Sequence, residues 1–185
     1  GDVSNAIPFA AAMEIFHSFT LIHDDIMDND DLRRGVPTVH FKYGLPIAIV
    51  SGDLLFSKVF EVIAEGGKYD ISCDRLRSCV ELVSKAAVEL CEGQVLDTSF
   101  PIEENVSEED YISMVERKTA ALFRTCAEVG GIIGGGNRKD VQRLGKYAWN
   151  SGVAFQIVDD YLGLTGDEAT LGKTATEDEH FSDIR

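Results

Sequence analysis

The chain has 185 residues, 44% of them hydrophobic, which is enough for one domain with a packed core. Its net charge of −15 excludes a nucleic-acid surface, which would need a basic stripe. No run approaches the roughly 18 apolar residues of a membrane span, and Gly1 to Asn5 lack the basic start and apolar run of a signal peptide.

Helical periodicity runs along nearly the whole chain, and no stretch alternates convincingly as a strand would. Pro8 suits a first-turn position and opens a first helix through Met13, Phe16 and Thr20 to Asp28. Residues 29–44 read as a polar loop containing Gly and Pro. Pro46 opens a second helix ending at Gly66 and Gly67. The most apolar stretch, from Leu45 through Val50 to Phe56, is broken by Ser51, Gly52 and Asp53. A third helix covers 75–96. Ser107, with Asp110 three residues on, makes a weak capping box for a fourth, which continues through Glu128 to Gly130 and Gly131. Asn137 caps a fifth, running past Trp149 and Val153 to Leu164. Gly134-Gly135-Gly136 lacks the preceding strand and the Lys-Ser/Thr ending of a phosphate loop, so it reads as an interhelix turn. With no repeat, low-complexity tract or linker, residues 1–185 form a single all-α domain of bundle type.

Cys73, Cys79, Cys91 and Cys126 form no C-x-x-C pair. They read as reduced thiols packed in the helices of a cytoplasmic protein, with no zinc. The acids Glu103, Glu104, Glu108, Glu109, Glu177 and Glu179 read as a solvated surface.

Two acidic clusters carry the chemistry. Asp24-Asp25-Ile26-Met27-Asp28 is followed by Arg33-Arg34-Gly35, and Gln156-Ile157-Val158-Asp159-Asp160 lies far downstream in an apolar helical frame. On a helix, Asp24 and Asp28 project together about 6 Å apart, while Asp25 turns roughly 100° away. Paired carboxylates at a helix C-terminus oppose the macrodipole and raise each other's pKa unless a cation neutralises them. Mg²⁺ suits that role, since it is commonly bound through one or two carboxylates plus phosphate oxygens. Gln156 and Asp160 share a second face, with Asp159 adjacent. Arg33 and Arg34 offer bidentate phosphate contacts. Lys118 lies mid-helix among Met114, Val115, Ala120 and Leu122, where it either snorkels or reaches into a polar cavity.

The strings Leu21-Ile22-His23-Asp24-Asp25-Ile26-Met27-Asp28 and Leu32-Arg33-Arg34-Gly35 resemble the first aspartate-rich motif of trans-isoprenyl diphosphate synthases (polyprenyl synthetases). Gly52-Asp53, Gly93-Gln94, Lys118-Thr119, Phe155-Gln156 through Asp160, and Gly172-Lys173 match that family's later signatures in order. Within it, the chain is most similar to archaeal short-chain geranylgeranyl diphosphate synthases. The resemblance implies an isoprenoid-synthase helical bundle with a central cavity, lacking here the family's N-terminal and C-terminal helices. It implies Mg²⁺-dependent condensation of an allylic diphosphate with isopentenyl diphosphate by ionisation, condensation and elimination, in a homodimer.

Residue by residue, the resemblance gives Asp24 and Asp28 two Mg²⁺ ions and Asp159 a third, roughly three per site. Asp25 and Asp160 would order metal-bound waters. Arg33, Lys118 and Lys173 would contact the allylic diphosphate, and Arg34 that of isopentenyl diphosphate. Thr119 and Gln156 would lie near the developing carbocation. Phe19, five residues before Asp24 and about 7.5 Å up the helix axis, would floor the tail cavity with Phe16 on a similar face. An aromatic at that position, in the family, accompanies products of fifteen or twenty carbons, and the twenty-carbon product is the expectation.

The chain departs from the family in the basic segment absent ahead of the first motif, in Gly163, and in the eight residues 174–181 between Lys173 and Ser182. Alternatives are a farnesyl diphosphate synthase, a class I terpene cyclase and a non-catalytic partner subunit. A cyclase leaves Arg33-Arg34-Gly35 unexplained. An HD-type phosphohydrolase, prompted by His23-Asp24, would need further ligands that His17, His40 and His180 do not obviously supply.

Overall fold

The structure is a computed structural model and describes residues 3–66, 71–103 and 105–165. Expectations placed on Glu104, Gly172, Lys173, residues 174–181, Glu177, Glu179 and His180 fall outside these residues.

Among the described residues seven α-helices make the frame: α1 Val3–Met27, α2 Val39–Tyr43, α3 Leu45–Glu65, α4 Cys73–Ser99, α5 Glu108–Val115, α6 Ala121–Ile133 and α7 Arg138–Thr165. A five-residue π-helical turn, Glu116–Ala120, joins α5 to α6 without a break. Two short strands, β1 Leu32–Arg33 and β2 Val36–Pro37, pair antiparallel between α1 and α2. The all-α reading holds, with this hairpin as its only described strand pair.

The core follows from spacing. Phe9, Met13, Phe16 and Phe19 recur every three or four residues along one face of α1, and all are buried. They meet Val59 and Ile63 of α3, Cys79, Val83 and Leu90 of α4, and Val129 and Ile133 of α6. Each such side chain contributes about 1.5–3 kcal/mol when taken from water. In length and composition α1 could cross a membrane, but here its bulkiest face is spent on this core.

Several local expectations need correction. The first helix starts at Val3, so Pro8 sits inside it. The missing Pro8 N–H would have met the Ser4 carbonyl, and Ser4 and Ile7 there are exposed. Residues 29–44 are more ordered than a loop: a two-residue hairpin turn at Arg34-Gly35 and the short α2 fill the segment. The fourth helix is interrupted by the π turn, which periodicity alone did not reveal. Cys79 is buried, whereas Cys73, Cys91 and Cys126 are exposed on their helices, so packing of all four thiols was too strong a reading. Capping went as the sequence indicated. Ser107 and Asp110 form a reciprocal box, and the Asn137 side chain accepts from the Asp140 backbone N–H at 3.0 Å.

Gly93 sets the distance between α4 and the π turn. A Cβ there would stand 2.8 Å from Lys118 Cα, against backbone that cannot swing aside. Gly93→Ala is therefore expected to lower stability by about 1–3 kcal/mol, read as a fall in melting temperature. An unchanged melting temperature would show that the two backbones have room to part.

Candidate active site

At the C-terminal end of α1 the first acidic cluster meets the π turn and the end of α4. The turn lifts Lys118 out of register with its neighbours and lets it reach Asp97, in the last turn of α4, in a short ion pair. Burial works against the Lys118 ammonium, but Asp97 and Asp24 outweigh it and raise its pKa above the ordinary value. Of the two sequence alternatives for Lys118, a polar interior is the one observed.

Burial pushes the Asp24 carboxyl up to about 6. Lys118 and Arg33 pull it back down, while Asp28 and Asp97 push it higher. Asp25 points elsewhere, as its helical phase requires. It is buried and ion-paired with Arg33, whose guanidinium also lies 3.7 Å from Asp30. Arg34 and Asp28 are exposed.

The second cluster is tied to the same turn by a directed chain of hydrogen bonds. The Thr119 hydroxyl donates to Gln156 Oε1 at 2.7 Å, and Gln156 Nε2 donates to Asp160 Oδ1 at 2.8 Å. The Tyr111 hydroxyl of α5 donates to the other Asp160 oxygen at 2.5 Å. Burial and then Asp160 raise the Tyr111 pKa, so the phenol stays a donor. Because a carboxylate only accepts, the orientation of the Gln156 amide is fixed, and with it that of the Thr119 hydroxyl. Asp159 is exposed on α7, and the apolar residues flanking it, Phe155, Ile157, Val158 and Leu162, are exposed as well.

Adjacent residues Lys118 and Thr119 therefore link the two clusters, one by charge to Asp24 and the other by hydrogen bond to Gln156. Among the described residues no three His, Cys, Asp or Glu side chains gather as a ready cation cage. Asp24 and Asp28 stand one helical turn apart on α1, and burial first, with Asp28 adding to it, raises the Asp24 carboxyl.

Phe19 and Phe16 are buried as expected, with ring centroids 4.9 Å apart, and Phe19 also packs on Phe56 of α3 at 5.0 Å. Asp97, Tyr111 and Phe56 were not singled out from sequence. Asp97 lies four residues after Gly93 on one face of α4, the one spacing that could have pointed to it.

The polyprenyl synthetase family model matches residues 1–181. The chain belongs to this family. It is 47% identical over 191 aligned residues to the geranylgeranyl diphosphate synthase of Saccharolobus solfataricus, covering 100% of this chain and 54% of that one. A solved geranylgeranyl pyrophosphate synthetase from Pyrococcus horikoshii superposes with a TM-score of 0.87 at 46% identity, over 96% of this chain and 54% of that one. The geranyltransferase of Helicobacter pylori, solved with magnesium and isoprenyl diphosphate, superposes with a TM-score of 0.86 at 29% identity, over 95% and 58%. The chain thus spans about half the length of the curated relatives it matches.

Titration of Asp24 should be visible in stability. Its folded pKa of about 6 lies above the unsupported value of 3.8, so the protonated form favours folding. That contribution is fully present below pH 3.8 and is lost as pH rises through about 6. Without divalent cation, the Asp24→Asn variant should lack this loss between pH 4 and 7. Mg²⁺ should raise the wild-type melting temperature more at pH 7.5 than at pH 5, because its ligands must be deprotonated, and should do far less for the variant. Equal Mg²⁺ shifts in both proteins would place the cation away from Asp24.

Proposed function

We propose that the complete protein is a prenyltransferase that joins an allylic diphosphate to isopentenyl diphosphate and yields geranylgeranyl diphosphate. The observation that carries this reading is the half-buried Lys118 ammonium, ion-paired with Asp97 and within Coulomb range of Asp24, with Thr119 beside it bonded to Gln156. Such an arrangement suits a dianionic leaving group at the acidic end and a cation beside polar, uncharged oxygens. Relatives at 43–47% identity that carry the geranylgeranyl diphosphate synthase name support it.

In this reading Asp24, Asp28 and Asp159 hold Mg²⁺, which when bound neutralises charge building on the diphosphate. Lys118, Arg33 and Lys173 meet the allylic diphosphate, and Arg34 that of isopentenyl diphosphate. Asp25 acts by fixing Arg33, and Asp160 by fixing Gln156. The allylic C–O bond breaks with its electron pair leaving on oxygen. The double bond of isopentenyl diphosphate then attacks the cation, and a proton departs. Lys118 favours this because it stabilises the separated charge more than the intact ester. Thr119 and Gln156 line the cation's side. Ile47, Val50 and Leu54, at i, i+3 and i+7 on the exposed face of α3, favour a homodimer.

The test is to supply the full-length protein with farnesyl and isopentenyl diphosphates, with and without Mg²⁺, and to identify the product. A twenty-carbon diphosphate formed only with Mg²⁺ is expected. Diphosphate release and a hydrocarbon product without isopentenyl diphosphate would identify a cyclase instead.

Product length has its own test. Phe19→Ala removes the ring that packs on both Phe16 and Phe56, and should shift the product beyond twenty carbons. An unchanged product distribution would assign Phe19 to the core alone.

A further inference from the structure

The hydrogen bonds that join α5, α7 and the π turn run in one direction, and that direction is set at the far end. Tyr111 of α5 donates its hydroxyl to Asp160 Oδ2 at 2.5 Å, and Gln156 Nε2 donates to Asp160 Oδ1 at 2.8 Å. Both carboxylate oxygens therefore hold a donor, one from a neighbouring helix and one from the preceding turn of α7. Burial, and then Asp160, keep the phenol protonated. The ionised carboxylate only accepts, so it turns the amide N–H of Gln156 toward itself and leaves the carbonyl oxygen to Thr119. The Thr119 hydroxyl donates to that oxygen at 2.7 Å.

The outcome is a fixed polarity at Thr119. A hydroxyl has one proton and two lone pairs, and here the proton is committed to Gln156. To any other neighbour the Thr119 oxygen offers lone pairs alone. The same atoms allow the opposite arrangement: with the amide turned over, Gln156 Nε2 donates to Thr119, and the freed hydroxyl proton points outward. That arrangement sets the Gln156 carbonyl against the Asp160 carboxylate, which is repulsive for as long as the carboxylate is held there. The phenol is the group that holds it from outside α7.

Resting on the prenyl-transfer reading above, we propose that Tyr111 is a positioning residue: by holding the Asp160 carboxylate against Gln156, it keeps the lone pairs of Thr119 turned toward the allylic cation. Thr119 directly follows Lys118, whose ammonium marks the side on which the diphosphate leaves. When the C–O bond breaks, the electron pair goes to the diphosphate oxygen and positive charge stays on the allylic carbon. An oxygen lone pair facing that carbon stabilises it, whereas a hydroxyl proton facing it opposes the charge. The charge is larger in the transition state than in the bound ester, so the phenol acts on turnover more than on binding. It does so through two intervening side chains, Asp160 and Gln156.

The experiment uses the full-length protein with farnesyl and isopentenyl diphosphates and compares wild type, Tyr111→Phe, Asp160→Asn and the double variant. Tyr111→Phe keeps the half-buried ring and removes one hydroxyl, so the melting temperature should fall by only a few degrees. Its kcat should fall about 10-fold, with the KM of both substrates and the half-saturating Mg²⁺ concentration within about twofold of wild type. Asp160→Asn should lower kcat at least as far, because an asparagine amide can donate to Gln156 and turn it over. Adding Tyr111→Phe to Asp160→Asn should then cause no further loss, since the phenol acts through the carboxylate. Undiminished kcat in Tyr111→Phe overturns the inference and leaves the bond a structural tie between α5 and α7. Losses that multiply in the double variant also overturn it, because Tyr111 would then act apart from Asp160. A loss that excess Mg²⁺ restores overturns it too, and gives the phenol a role at the cation. Absence of any product from wild type would instead reject the prenyl-transfer reading itself, so the two failures are distinguishable.

Discussion

The Lys118 ammonium is half-buried, bound to Asp97 and within Coulomb range of Asp24, in a protein whose overall charge is −15. Removing a cation from water is costly unless it is paired and hydrogen-bonded. Asp97 supplies the pairing, and Asp24 is a carboxylate whose own burial is eased by the same ammonium. Each group is tolerable only because the others are present. The acidic end of α1, the end of α4 and the middle of the α5–α6 helix are thereby fixed to one another by charge, and the rest of the site is arranged around that junction.

Backbone geometry makes the junction possible. In a regular helix from Glu108 to Ile133, Lys118 and Thr119 would follow the ordinary rotation of their neighbours. The π turn inserts an extra residue there, a device that often occurs where a helix serves a site. It lets one residue turn to α4 and Asp24 and the next to α7 and Gln156. The absence of a side chain at Gly93 lets α4 come near enough to use it.

Much of this was legible beforehand, and the reason is periodicity. Phe9, Met13, Phe16 and Phe19 repeat at the interval that makes a buried stripe, and Asp24 with Asp28 at the interval that pairs two carboxylates. Ser107-Asp110 and Asn137 marked helix starts because capping is local chemistry. What could not be read depends on tertiary proximity. Nothing in the run from Glu116 to Ala120 announces a π turn, since its advantage lies in partners on α4 and α7. Asp97 looked like any acid on a helix, and Tyr111 like any half-buried aromatic, until α5 and α7 brought phenol and carboxylate together. The phase of Asp25, turned away from Asp24 and Asp28, was legible, but its partner Arg33 was not, because the hairpin that brings the guanidinium back is a tertiary feature.

The hairpin after α1 carries two neighbouring guanidinium groups to different fates. Its two-residue bend places Arg34 at φ 53 and Gly35 at φ 76, the left-handed pair that a type I′ connection demands. Glycine would occupy the first of these positions without strain, whereas arginine costs about 1 kcal/mol there. Arg33 folds back onto its own helix to pair with Asp25, while Arg34 is carried exposed at the tip, its charge still felt by His17 of α1. The bend thus works as a fork, keeping one positive charge for internal use and presenting the other outward, and the awkward backbone at Arg34 is what the chain tolerates to keep that outward tine charged.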